Sequence, residues 1–142
     1  MKLRIKGNSI RLRLGQSEVE RLAITGIIEE STMFGPSTAH RFGYALCVCL
    51  GEEHVTASFA NRLLMVRVPI NVIHQWMTTD QVSIHAVQGT GEDGELRILI
   101  EKDFECIDAP PDESQEDAFP RPQFGACVSS ESSAAAVNQA GV

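Results

Sequence analysis

Aromatic side chains make up only 6% of the 142 residues, with a single Trp and a single Tyr. That scarcity argues against a base-stacking surface, because binders of single-stranded nucleic acid interleave aromatics with their cations. No stretch approaches the roughly 18 apolar residues of a membrane helix. The first residues interrupt every apolar position with a polar one, so the continuous apolar core of a signal peptide is missing too. The expected setting is the cytoplasm, without a membrane partner. Four cysteines (Cys47, Cys49, Cys106, Cys127) and four scattered histidines (His40, His54, His74, His85) offer no C-x-x-C or H-x-x-x-H spacing. No metal and no cofactor is therefore expected, and the cysteines read as buried reduced thiols. G-x-S-x-G and H-E-x-x-H are absent, and "GTGEDG" lacks the G-K-[ST] ending and following helix of a phosphate cradle. The reading leans away from an enzyme.

Acid is also missing, locally. Residues 1–13 hold five of the twelve Lys and Arg and no Asp or Glu, a charge of +5 that leaves −12 on the rest of a chain whose net charge is −7. Glu105 to Asp117 contains six acids and no base. Such asymmetry suggests either a partner or an internal match.

Two-residue alternation dominates the first hundred residues. "KLRIK" and "SIRLRL" put Leu3, Ile5, Ile10, Leu12 and Leu14 on one face and Lys2, Arg4, Lys6, Arg11 and Arg13 on the other. Gly7-Asn8 between them predicts a hairpin. In "GQSEVERLAITG" the period changes to that of a short helix, with Ser17 as N-cap, Glu20 at the capping-box position and Gly26 as stop. Strands follow in "IIEESTMF" and "HRFGYALCVCL". The grammar then recurs at an offset of about 54 residues: Leu12 matches Val66, Leu14 matches Val68, Ser17 matches Asn71, Leu22 matches Trp76 and Ile28 matches Val82. The expectation is an α+β, β-rich fold of about eight antiparallel strands from two ββαββ repeats, closed as a barrel or packed as two curved sheets, with two short helices. It would span residues 1–104. Residues 105–127 read as an extended acidic segment anchored by Ile107, Phe119 and Phe124, and residues 128–142 as a disordered tail.

The stretches "MKLRIKGNSIRLRL", "QSEVERLA", "EKDFECID" and "DESQEDAFPRP" resemble a family of short uncharacterised bacterial proteins, a domain of unknown function. The resemblance implies a bacterial source and a compact protein whose pattern runs to about residue 122; it brings no activity, cofactor or catalytic residue. The architecture is also similar to the tunnel fold of the triphosphate-hydrolysing CYTH enzymes, but "KLRIK" lacks their E-x-E-x-K carboxylates.

The basic hairpin is the candidate binding site: Lys2, Arg4, Lys6, Arg11 and Arg13, with Arg67 joining from the second repeat. Residues two apart on a strand lie about 6.6 Å apart, and a row of like charges needs facing carboxylates or an anion. Internal acids on offer are Glu29, Glu30, Glu101 and the acidic segment. External partners would be a small anion or an acidic protein segment; nucleic acid is disfavoured by the net acidity. A cation site on Asp103, Asp108, Asp112 and Asp117 lacks the calcium-loop pattern. Trp76 reads as core, and His74 and His85 as lone histidines. The favoured function is a non-enzymatic binding or interaction module. The alternatives are a metal-dependent phosphohydrolase of the charged-tunnel type and a structural domain with internally paired charges.

Overall fold

The structure is a computed structural model and describes residues 1–105 and 114–121. The anchors expected at Ile107 and Phe124, the thiols Cys106 and Cys127, the carboxylates Asp108 and Asp112 and the tail over 128–142 lie outside the described residues.

Each half of the chain runs strand, strand, helix, strand, strand. The first comprises β1 (Lys2–Ile5), β2 (Ser9–Leu14), α1 (Gln16–Thr25), β3 (Ile27–Met33) and β4 (Arg41–Cys49). The second comprises β5 (Thr56–Ala60), β6 (Leu63–Pro69), α2 (Ile70–Thr78), β7 (Ser83–Gly89) and β8 (Glu95–Lys102). The repeat is real in three dimensions: Leu12 and Val66, Leu14 and Val68, and Leu22 and Trp76 are all buried in one shared core. One match shifts. Two extra residues follow α2, so the partner of buried Ile28 is Ile84, whereas Val82 is exposed.

The expectation of wholly antiparallel strands is corrected. The strands form two four-stranded sheets, ordered β1-β2-β8-β7 and β3-β4-β6-β5. The central pairs, β2 with β8 and β4 with β6, are parallel. Each repeat sends one hairpin to each sheet, so every sheet contains a hairpin from both halves. The helix is the reason. Ten residues of α1 span about 15 Å, enough to carry the chain across the roughly 10 Å between packed sheets, so β3 lands opposite β2 instead of beside it. The outcome is two packed sheets, not one closed barrel. Val19 and Leu22 of α1, and Ile73 and Trp76 of α2, close the core between the sheets.

The helix caps also differ from expectation. Helix α1 starts at Gln16 and α2 at Ile70, with Gly15 and Pro69 as N-caps, so Ser17 and Asn71 lie inside the first turn. Glu18 reaches back to the Gly15 N–H at 3.0 Å. Two further donors are satisfied from the far end of the described chain. Asp117 accepts from the Ser17 N–H at 2.8 Å and the Ser17 hydroxyl at 2.7 Å, and its carbonyl accepts from the Gln16 N–H at 2.8 Å. A side chain 100 residues away thus does the work of an N-cap. These Ser17 bonds hold the Asp117 carboxyl below the usual carboxylate range. Residues 114–121 are further pinned by a bridge between Phe104 and Phe119 and by Phe119 packing against the core. The Lys102 ammonium lies 5.7 Å from the ring centres of both Trp76 and Phe119, and burial lowers its proton affinity.

Gly15 is where this closure has no room to spare, since a Cβ there would lie 2.8 Å from the Asp117 carbonyl oxygen and clash with its carboxylate. Gly15→Ala should cost about 1–3 kcal/mol, Asp117→Ala about 1 kcal/mol, and the double variant less than the sum, as read by urea unfolding. The depressed Asp117 pKa fixes the sign of a pH test. Its contribution is full above the unfolded value of about 4 and is lost as pH falls through the lower folded value. The stability gap between wild type and Asp117→Asn should therefore close as pH falls below about 4.

Candidate functional site

Alternation on β1, β2 and β8 sends one set of side chains into the core and the other to the outer face of the first sheet. The ladder sets the rows. Lys2 lies opposite Arg13, which lies beside Glu101; Arg4 lies opposite Arg11, beside Leu99; and Ser9 lies beside Arg97. On β7, Ser83, His85 and Val87 extend these rows past Glu101, Leu99 and Arg97. With Lys6 at the hairpin end, the face gathers six permanent cations within strands about 4.8 Å apart.

The structure brings five of the six predicted site residues together: Lys2, Arg4, Lys6, Arg11 and Arg13. Arg67 is not among them. It lies on β6 in the other sheet, where it donates to the Ser58 hydroxyl at 2.9 Å. Arg97 of β8 takes the place expected for Arg67, beside Ser9. The alternation of "LRILIEK" marked Arg97 as outward-facing, but the parallel pairing that sets it beside β2 had no sequence signal.

Neutralisation is uneven along the face. At one end Lys2 pairs with Asp103 at 3.0 Å and Arg13 with Glu101 at 2.5 Å, and Arg11 lies 3.6 Å from the same Glu101. Toward the Gly7-Asn8 turn, Arg4, Lys6 and Arg97 have no carboxylate partner among the described residues. Two of the acids proposed as internal matches are used elsewhere: Glu29 pairs with Arg41, and Glu30 with the Met1 ammonium at 3.3 Å, beside Glu18. The Tyr44 hydroxyl donates to the Met1 carbonyl at 3.0 Å, and burial with the nearby Glu30 raises its pKa. Asp117, the last acid of the acidic segment, meets Ser17 and not the hairpin cations.

Hollows line the cationic face, one of about 110 Å³ at the paired end and two wider ones toward the unmatched charge. Arg4, Lys6, Ser9 and Arg11 line one of about 180 Å³. Across β2, Arg11, Arg97, His85, Val87 and Leu99 border a wider one of about 260 Å³. The three cations of the first hollow, with Arg11 and Arg97 in the second, can receive an oxyanion, with Arg offering paired N–H donors. Ser83 and His85 are linked at 2.9 Å on the same face. Among the described residues, no group of three or more His, Cys, Asp or Glu side chains gathers to hold a metal ion. Cys47 and Cys49 do share a face, with sulfurs 3.9 Å apart, and both are free thiols. Burial and the Cys47 contact raise the Cys49 pKa, which favours the inert thiol form. No helix among the described residues is long and apolar enough to cross a membrane.

Residues 1–123 match a family of unknown function, DUF7009. The chain belongs to that family. The match covers both sheets and all of the described C-terminal segment, so the basic face and the Asp117 closure both fall inside the family region. Neither a curated protein nor a solved structure matches this family member.

Glu101 is the pivot of the neutralised end. Glu101→Gln should change stability by no more than about 1 kcal/mol, since its Arg partners are part-exposed. It should also lengthen retention on a phosphate resin at low salt, by releasing Arg11 and Arg13.

Proposed function

We propose that this protein is a non-enzymatic binding module of the bacterial cytoplasm whose anion-binding surface is the outer face of the first sheet. The observation that carries the reading is the cluster of Arg4, Lys6 and Arg97, unmatched by any carboxylate among the described residues and bordering hollows shared with Arg11. Bringing these cations together is unfavourable in itself, as Arg4 and Arg11 are direct cross-strand neighbours. An oxyanion or a partner's carboxylates relieve that repulsion. Nucleic acid is the weaker ligand class, because the face carries no Phe, Tyr or Trp to stack a base and the chain is net acidic. A phosphohydrolase would need carboxylates converging on the cations, and here Glu101 and Asp103 are occupied as ion-pair partners.

Titration with inorganic triphosphate at low salt tests the proposal. Each charge-assisted hydrogen bond contributes about 1.5–3 kcal/mol, so the Arg4→Ala/Lys6→Ala double variant should lose at least about tenfold in affinity. Arg97→Ala should weaken binding less, and Arg67→Ala should leave it unchanged. Equal losses for Arg67→Ala and the double variant would show general charge attraction and overturn the assignment.

A further inference from the structure

The β1 edge of the first sheet is open at a position where its counterpart in the second sheet, β5, is covered. The β1–β2 hairpin closes with reciprocal bonds between Lys6 and Ser9, at 3.1 and 3.2 Å. In an antiparallel ladder, hydrogen-bonded and non-bonded pairs alternate from that point. Arg4 and Lys2 therefore bond to β2, while the N–H and C=O groups of Leu3 and Ile5 point away from the sheet. The repeat supplies an internal comparison. Their equivalents on β5 are Ala57 and Phe59, and there the edge is blocked at Ala57. The Gln88 side-chain amide takes both Ala57 groups, accepting from its N–H at 2.6 Å and donating to its C=O at 2.9 Å. Gln88 imitates the peptide group of a neighbouring strand. At the corner of β1 and β3 the corresponding position is Thr32, which makes no such bond. Met1 is tied to Glu30 and Tyr44, but Leu3 and Ile5 present their outward backbone groups with no partner among the described residues. Ile5 is 58% exposed.

From this we infer that β1 is a docking edge for an extended acidic segment of a partner protein, which adds as a fifth strand to the first sheet. The inference rests on the basic-face reading and names its partner. An added strand would place alternate side chains beside Lys2, Arg4 and Lys6 on the outer face, and the others beside Leu3 and Ile5. The recognised pattern is therefore acidic residues alternating with apolar ones over about five positions, with backbone bonds supplying affinity and side chains specificity. The same charges exclude the commonest wrong partner: a second copy of β1 would set Lys and Arg against Lys and Arg.

The test uses fluorescence anisotropy of a dye-labelled Glu-Val-Glu-Val-Glu peptide with the full chain, alongside inorganic triphosphate. Two N-methylated peptides block one or the other set of alternate amides. One should lose at least about tenfold in affinity and the other should bind within about twofold of the parent. Ile5→Pro removes an outward N–H that the β2 ladder does not use; it should weaken the peptide about tenfold while leaving triphosphate affinity unchanged. Equal binding of the two methylated peptides, or failure of the parent to bind while triphosphate does, overturns edge addition and leaves the basic face standing. Failure of both ligands overturns both readings.

Discussion

The parallel pairing of β2 with β8 is the contact on which the rest depends. It sets Leu12 beside Ile100 in the core and Arg13 beside Glu101 outside. Its twin, β4 with β6, sets Leu46 beside Val66 at the equivalent place in the other sheet. Because each pair joins the two repeats, neither repeat can complete a sheet alone. A parallel pair of this kind demands a long detour of chain between its members, and here residues 15–94 are that detour. Folding must bring the first two strands and the last two together before the first sheet exists, which places it among slow, non-local topologies.

The same closure organises the polar chemistry. Bringing β8 beside β2 delivers Glu101 and Asp103 to one end of the basic face and Arg97 to the other. One strand thereby both neutralises and extends the cationic surface. Beyond β8, Asp117 caps α1, immediately after β2. Gly15 is the junction of these events: the end of the central strand, the N-cap of the helix and the floor beneath Asp117.

Internal duplication makes the asymmetries informative. Equivalent core positions stay buried in both halves, as Leu22 and Trp76 do. The outer faces have diverged: the first sheet gathers six cations, while the second carries the neighbouring half-buried thiols Cys47 and Cys49 with Leu63 and Met65. The edges have diverged as well, with Gln88 closing β5 and nothing equivalent closing β1. Core packing constrains both halves alike, whereas the surface is free to differ, so surface differences are where function is to be sought.

Alternation and turn chemistry by themselves determined the strands, the two helices, the duplication and which side of β1 and β2 carries charge. These are local properties, read within ten or so residues. Five of the six predicted site residues share a face because a period of two dictates it. Arg67 lies apart from the other cations and Arg97 lies among them for one reason: both alternate within their own strands, but the sheet each strand joins is a long-range choice. The caps show the same boundary. Ser17 has the spacing of an N-cap, yet the helix begins one residue earlier and takes its cap from Asp117. Only the tertiary structure decided which strands lie side by side, which carboxylates meet which cations and which edge stays open. Those outcomes depend on burying one continuous core between two sheets, an energy shared by the whole chain and written in no single segment.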